Sequence, residues 1–175
     1  SLRRAINDDQ AVVRAAALQA VSSYGAAAGD ATTAFVAAAD DPNPIVRGRA
    51  IVGLVQLKQK TSVVVPILKR ALQDADVSVR AHAMRAVGEL HEDAKPLIGE
   101  IIKALSDQDE FVRASAAGAL GKFGVAAVDA VPLLAAALVD RPSVAVNAAT
   151  TLGGLGEAAA PASEALADAL GAAKD

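Results

Sequence analysis

Apolar residues recur at helical spacing along this chain, and the same spacing returns at a fixed interval. In one segment the apolar positions Val112, Ala116, Leu120 and Phe123 fall at i, i+4, i+8 and i+11. This spacing places the four side chains on one face of an α-helix. The alternation with period two that would predict β-strands is absent from the sequence. The pattern therefore predicts an all-α protein.

Five segments carry this apolar column. The four others have the corresponding residues Val13, Ala17, Val21 and Tyr24; Val46, Ala50, Leu54 and Leu57; Val79, Ala83, Val87 and Leu90; and Val144, Ala148, Leu152 and Leu155. Shorter apolar segments lie between them, such as TTAFVAAA and VPLLAAAL. Prolines near their starts favour the first turn of a helix, and this position is predicted for Pro66, Pro96, Pro132 and Pro161. Each unit is thus a first helix followed by a second helix.

An arginine stands at the same place in four of the second helices, and the interval between successive copies is constant: Arg14, Arg47, Arg80 and Arg113. An aspartate stands six positions before each of them: Asp8, Asp41, Asp74 and Asp107. In the fifth copy the interval is shorter by a single position, and Ala145 replaces the arginine. A fixed period of this length indicates a repeat array, in which each unit buries its apolar face against its neighbours.

The period sets the domain organisation. We predict a single array over residues 1–175, folded as a right-handed α-solenoid of antiparallel helix pairs. Its units are predicted at residues 1–25, 30–58, 63–91, 94–124 and 128–156, with a terminal half-repeat at 158–175. Neither end has an obvious polar cap, so we expect a segment of a longer protein whose apolar ends can associate end to end.

The pattern Leu-x-Asp-x-x-x-x-Val-Arg-x-x-Ala-x-x-Ala-Leu-Gly, clearest from Leu105 to Gly121, resembles the short HEAT-like repeat. This is the bacterial and archaeal type that also occurs in phycobilisome lyase subunits. The resemblance covers essentially the whole chain, although the fifth copy is degenerate. It implies an armadillo-like superhelix whose second helices line a concave surface that binds a protein.

Composition narrows the classes of function. Aromatic residues make up only 2% of the chain, so the core has to be built from small aliphatic side chains. The net charge of −3 argues against nucleic acid as the partner. The absence of cysteine excludes disulfides, thiol nucleophiles and thiolate metal sites. No apolar run approaches the roughly 20 residues of a membrane-spanning helix, so no membrane partner is expected.

The recurring Asp and Arg predict a structural ladder of ion pairs and carbonyl hydrogen bonds between neighbouring turns. Its predicted members are Asp8, Arg14, Asp41, Arg47, Asp74, Arg80, Asp107 and Arg113. The resemblance implies the same structural part for this pair of residues. The alternative is that these arginines contact a ligand.

Second-helix positions that vary between repeats are the better candidates for binding. Positions +2, +5 and +9 from the arginine share one stripe opposite the packed face. The residues predicted to contact a protein or peptide on the concave face are Arg49, Val52, Gln56, His82, Arg85, Glu89, Ser115, Lys122 and Asn147. The alternative is an ordinary solvated helix face.

No motif indicates catalysis. The pair His91-Glu92 is similar to the His-Glu pairs of deoxyhypusine hydroxylase, a di-iron enzyme on the same scaffold, but that enzyme needs several pairs. HExxH, a Gly-rich phosphate loop and a Ser-His-Asp spacing are absent from the sequence. We therefore expect a non-enzymatic scaffold with a protein or peptide partner and no cofactor or metal. The alternatives are a lyase-type or non-catalytic subunit of a larger enzyme assembly and, less favoured, a HEAT-like nucleic-acid binder.

Overall fold

A computed structural model of the chain describes residues 2–24 and 31–172. Within these two ranges every regular element is helical and no β-strand occurs. The chain forms two compact units, unit 1 at residues 1–90 and unit 2 at residues 91–175. The prediction of an all-α protein is confirmed.

Unit 1 is built from helix pairs. Its described helices are α1 (Leu2–Ala5), α2 (Ala11–Ser23), α3 (Thr32–Ala38), α4 (Pro44–Gln56), α5 (Thr61–Ala71) and α6 (Val77–Leu90). The second helix α4 packs against the second helices on both sides, α2 and α6. Each first helix packs on the second helix that follows it, α1 on α2, α3 on α4 and α5 on α6. The second helices of unit 1 therefore form one row and carry the first helices on it.

Unit 2 has the same pairing with short 3-10 segments between its helices. Its α-helices are α7 (Ile98–Ala104), α8 (Glu110–Leu120), α9 (Val131–Ala136), α10 (Pro142–Leu155) and α11 (Ser163–Ala172). The 3-10 segments are His91–Leu97, Gly121–Ala130, Ala137–Val139 and Gly156–Ala162. The second helices α8 and α10 pack side by side, while α7 packs on α8 and α9 on α10.

The predicted apolar columns form the core. Val46, Ala50 and Leu54 of α4 are fully buried, and the corresponding residues of α8 and α10 are buried as well. The column fails at Tyr24, which is 64% exposed.

The backbone turns into the left-handed region after each second helix from α4 onward. The residues with positive φ are Lys58 (50°), His91 (49°), Gly124 (52°) and Gly156 (57°). The two glycines adopt this conformation without steric cost, whereas Lys58 and His91 hold a Cβ in a strained position. The corresponding Gly25 lies outside the described residues.

Replacing Lys58 with glycine is therefore expected to stabilise unit 1 by about 0.5–1 kcal/mol, since glycine removes the left-handed strain but adds chain entropy to the unfolded state. The reverse change, Gly124→Ala, should destabilise the chain because it introduces that strain. Urea unfolding of both variants measures the two effects. A Lys58→Gly variant less stable than the wild type would contradict this explanation.

The prolines and caps define where helices begin. Pro132 lies in the first turn of α9, as predicted. The prediction is wrong for Pro66, which lies inside α5, and for Pro96 and Pro161, which lie in the 3-10 segments before α7 and α11. Pro66 is tolerated because it is exposed, so water can reach the carbonyl that its missing N–H leaves unbonded. At the start of α8, the N-cap residue Asp109 accepts a hydrogen bond from the backbone N–H of Val112 at 3.1 Å.

One segment corrects the expectation about membrane-spanning length. By length and composition alone, Glu110–Val139 could cross a membrane. Its backbone is not one continuous α-helix, because α8 ends at Leu120 and Gly124 interrupts the 3-10 segment before α9 with φ of 52°. Core helices of soluble proteins pass the same composition test, so this segment is weak support for a membrane span.

Candidate binding surface

The recurring arginines join consecutive repeats. Arg14 donates from Nε and Nη2 to the two carboxylate oxygens of Asp41, both at 2.8 Å. Its Nη1 donates to the backbone carbonyl of Asp8 at 2.8 Å and to that of Asp9 at 3.0 Å. The carboxylate therefore comes from the next repeat, and the carbonyls come from the arginine's own turn. One guanidinium fixes two turns at once.

Two further arginines repeat this geometry. Arg47 donates to the Asp74 carboxylate at 2.8 and 2.7 Å and to the Asp41 carbonyl at 2.8 Å. In unit 2, Arg113 donates to the Asp140 carboxylate at 2.6 and 2.8 Å. Such paired, charge-assisted hydrogen bonds are stronger than single neutral ones. The geometry of these contacts is that of a ladder.

Asp140 is a member of the ladder that the sequence reasoning missed. The fifth copy carries Ala145 in place of the arginine, so its aspartate is not among the predicted members. Because each of these arginines reaches forward to the next repeat, the fifth copy still has to supply a carboxylate for Arg113. The position of Asp140 in the sequence, one full repeat after Asp107, could have identified it as a member of the ladder. For Arg80, the described contacts are those of Nη1 with the carbonyls of Asp74 and Ala75.

The ladder lowers the pKa of its carboxylates. For Asp41 and Asp74, burial alone would raise the pKa, but the hydrogen bonds from the arginine and from a backbone N–H outweigh it. For Asp140, the hydrogen bond from Arg113 is the largest cause of the lowered pKa, followed by the backbone N–H of Arg141. All three side chains therefore prefer the charged form in the folded protein.

This preference predicts a loss of stability in acid. As the pH falls through about 3.9, the ordinary pKa of aspartate, the unfolded chain takes up protons that the folded carboxylates resist. The unfolded state then binds more protons, so the free energy of unfolding decreases as the pH falls through this range and below it. Urea unfolding measured across the range should give a shallower pH dependence for Asp74→Asn than for the wild type. Equal slopes would contradict the assignment of this proton linkage to Asp74.

The predicted contact residues differ in exposure. Arg49, Gln56, Arg85, Glu89 and Lys122 are exposed, and Ser115 is partly exposed. Val52 is 9% exposed, so its prediction as a contact residue is wrong. Helices α2 and α6 pack against opposite sides of α4, so that less of the α4 surface is exposed. The short aliphatic side chain of Val52 is therefore buried.

His82 and Asn147 contact the neighbouring second helix. The His82 ring lies over Gly48 of α4, where an added Cβ would be 3.2 Å from the ring Nδ1. Asn147 of α10 donates from Nδ2 to the carbonyl of Ala114 of α8 at 3.1 Å. Both side chains are only partly exposed. Their contacts give them a packing role that the stripe of exposed positions did not predict.

The exposed face of the second helices begins one turn before the predicted stripe of contact residues. Three second helices carry a large apolar residue two positions before the arginine position, namely Val12, Ile45 and Phe111, which are 70%, 62% and 60% exposed. The predicted stripe begins one turn later. Large aliphatic or aromatic residues that stand outside the buried column, at one position in three repeats, were the available signal.

A groove lies between α2 and α4 in unit 1, with a volume of about 370 Å³. It is lined by Ala11, Val12, Ala15, Ala16, Gln19, Asn43, Ile45 and Arg49. Arg49 supplies the charge in this lining, and the other polar side chains are the two amides. We call this feature the α2–α4 groove. It combines an apolar surface with a guanidinium at one wall.

The acidic and histidine side chains form no metal site in the described part of the chain. Within residues 2–24 and 31–172, no group of three or more His, Cys, Asp or Glu side chains is arranged to hold a metal ion. His91 and Glu92 are both exposed at the start of a 3-10 segment.

Comparisons with known proteins identify the fold class. A designed armadillo repeat protein has a TM-score of 0.71 and 20% identity, with 99% of this chain and 97% of that chain covered. The complex of CpcE and CpcF of phycocyanin lyase from Nostoc sp. PCC7120 has a TM-score of 0.70 and 22% identity, with 89% of this chain and 64% of that chain covered. YibA of Escherichia coli has a TM-score of 0.64 and 24% identity, with 87% and 56% covered. At these identities the likeness concerns the fold, and the predicted α-solenoid class is confirmed.

The sequence itself matches a repeat family. No curated protein matches it at a significant level. The family model of HEAT repeats matches residues 32–101 and residues 65–153, which together exceed half of the chain. The helix pairs of both units and the predicted resemblance agree with this match. The chain belongs to the HEAT repeat family.

Proposed function

We propose that this chain is a protein-interaction module without catalytic activity of its own, and that it binds a protein or peptide segment on the exposed faces of its second helices. The observation that carries the proposal is the α2–α4 groove, where exposed Val12 and Ile45 lie beside Arg49. Large apolar side chains that are exposed to solvent beside a charged side chain are typical of protein-interaction sites.

The arginines of α2 and α4 differ in their contacts, and this difference supports the proposal. Arg14 and Arg47 are committed to carboxylates of the next repeat and to backbone carbonyls. Arg49, two residues after Arg47, is exposed and has no ion pair among the described residues. An arginine whose N–H groups are not bound within its own chain can donate hydrogen bonds to a partner, and arginine is enriched in protein interfaces.

Similar folds in other proteins lend further support. One protein of this fold was computationally designed as an armadillo repeat protein for modular peptide recognition, with a TM-score of 0.69 to this chain. The phycocyanin lyase structure is a complex of two chains. The net charge of −3 favours a protein partner over nucleic acid.

Affinity capture with two charge-reversed variants tests the proposal. The first variant changes to Glu the predicted contact residues Arg49 of α4, Arg85 of α6 and Lys122, which lies in the 3-10 segment that follows α8. The matched control changes three exposed cations elsewhere, Lys60, Lys103 and Arg141, to Glu. Proteins retained from an extract of the source organism by the wild type and the control should be lost by the first variant. The proposal is wrong if the first variant retains the same proteins as the wild type, or if the wild type retains none.

A further inference from the structure

We propose that the α2–α4 groove selects a peptide segment in which a branched aliphatic side chain lies next to a carboxylate side chain. This inference rests on the proposed function and names the class of segment that unit 1 recognises. It follows from the shape of the groove, from the chemistry of its lining and from the state of its one charged residue.

The apolar lining favours an aliphatic side chain. Ala11, Ala15 and Ala16 have short side chains and leave room above α2, while Val12 and Ile45 flank that room. Both of these larger residues are mostly exposed, so contact with a ligand would remove their apolar surface from water. A groove of about 370 Å³ is at the small end of the range for ligand sites, which suits one side chain with adjoining backbone.

The polar lining favours an acceptor with negative charge. Arg49 is the charged residue, and no carboxylate lines the groove. The Asn43 side-chain oxygen already accepts a hydrogen bond from the backbone N–H of Ile45 at 2.9 Å. Its side-chain NH2 group remains available to donate to a ligand. A carboxylate can accept two parallel hydrogen bonds from a guanidinium, and a lysine or arginine on the ligand would be repelled.

Arg49 has the freedom to make this contact. The ladder arginines Arg14 and Arg47 have their guanidinium groups bound by carboxylates at 2.7–2.8 Å. Arg49 lies on the same helix as Arg47 but is exposed, and no carboxylate in the described part of unit 1 pairs with it. Arg85 on the adjacent helix α6 is also exposed, so the second-helix row continues with a positive charge.

The test is an NMR titration of the isotope-labelled chain with four capped peptides. All four share a frame of glycine and serine, and they carry Leu-Glu, Leu-Gln, Ala-Glu or Leu-Lys at the centre. We expect the Leu-Glu peptide to shift the amide signals of Val12, Ala16, Ile45 and Arg49. Its affinity should exceed those of Leu-Gln and Leu-Lys by about fivefold or more, the effect of one charge-assisted contact at an exposed site. It should also exceed that of Ala-Glu, because alanine buries less apolar surface than leucine.

A charge swap gives the decisive comparison. The variant Arg49→Glu should lose the preference for Leu-Glu and prefer Leu-Lys, which a merely structural effect would not produce. The control Lys60→Glu changes an exposed charge outside the groove and should bind like the wild type. Equal affinities for Leu-Glu and Leu-Gln, or no shift at the groove with any peptide, would overturn the inference. Shifts on other second-helix residues would overturn it too, yet would leave the proposed function standing, because that depends on the capture experiment.

Discussion

Replacing Gly53 with alanine is expected to destabilise unit 1 by about 3 kcal/mol, at the upper end of the usual cost of overpacking a core. A Cβ on Gly53 of α4 would lie 2.0 Å from Cε1 and 2.6 Å from Cδ1 of Phe35 of α3. Phe35 is fully buried, so its ring is enclosed by other residues and cannot swing into solvent to make room for the Cβ. Chemical denaturation of the variant measures the loss directly.

The other repeats suggest the compensating change. The position of Phe35 is occupied by Leu68, Ile101 and Leu134 in later copies, and all three are buried. The position of Gly53 is occupied by Ala86 and Ala119 in the copies that follow it. The double variant Phe35→Leu/Gly53→Ala restores the pairing that the next repeat already uses. It should therefore recover most of the stability that Gly53→Ala loses.

Gly99 provides the matched control. It lies in the exposed face of α7, and a Cβ there would meet no atom within 4 Å. Gly99→Ala should stabilise the chain by about 0.5–1 kcal/mol, because alanine restricts the unfolded chain more than glycine does. A loss of equal size in Gly53→Ala and Gly99→Ala would refute the steric explanation.

The second large effect is expected for Arg47→Ala, with a loss of about 2 kcal/mol, between the cost of breaking an exposed ion pair and that of breaking a buried one. The side chains of Arg47 and Asp74 are only 17% and 15% exposed, so the substitution leaves a largely desolvated carboxylate without its partner. Exposed pairs contribute about 0–1 kcal/mol, whereas breaking a fully buried pair costs about 3–5 kcal/mol. Urea unfolding measures the difference from the wild type.

Arg70 is the matched control for Arg47. It also pairs with an aspartate of the neighbouring repeat, Asp40, but at 3.2 Å and with side chains that are 57% and 69% exposed. Arg70→Ala should cost at most about 1 kcal/mol, as exposed pairs do. A double-mutant cycle of Arg47→Ala with Asp74→Ala should give a coupling energy larger than the cycle of Arg70→Ala with Asp40→Ala. Equal coupling energies would remove the structural role that we assign to the ladder.

Local patterns made much of the fold predictable. The column of Val46, Ala50 and Leu54 is a property of helical spacing, so it could be recognised without coordinates, and its burial followed. The fixed interval between arginines likewise revealed the repeat. Because the aspartate stands six positions before the arginine in the same copy, the forward pairing of Arg14 with Asp41 could not be read from spacing alone.

The features that escaped prediction depend on contacts between distant residues. The glycine at position 53 is required by a ring from another helix, Phe35, and no local rule connects the two. The positive φ of Lys58 is set by the path of the chain into the next helix, although glycine is the residue that usually signals it. The predicted contact residues include Arg49 but not the exposed Ile45, which lines the same groove, because the predicted stripe begins one turn after Ile45.

Two arginines on one helix have different surroundings. Arg47 and Arg49 lie two residues apart on α4, yet the first is engaged with Asp74 and the second faces the α2–α4 groove. We assign the recurring arginine to stability and the varying one to recognition. Each assignment predicts a different response to the same ligand.

Urea unfolding of Arg47→Ala and Arg49→Ala, with and without the Leu-Glu peptide, tests this claim most directly. A peptide present at ten times its Kd should raise the free energy of unfolding by about 1.4 kcal/mol. We predict that Arg47→Ala is destabilised but keeps this increment, and that Arg49→Ala unfolds like the wild type but loses it. An Arg49→Ala variant that is stabilised by the peptide as much as the wild type would contradict the account.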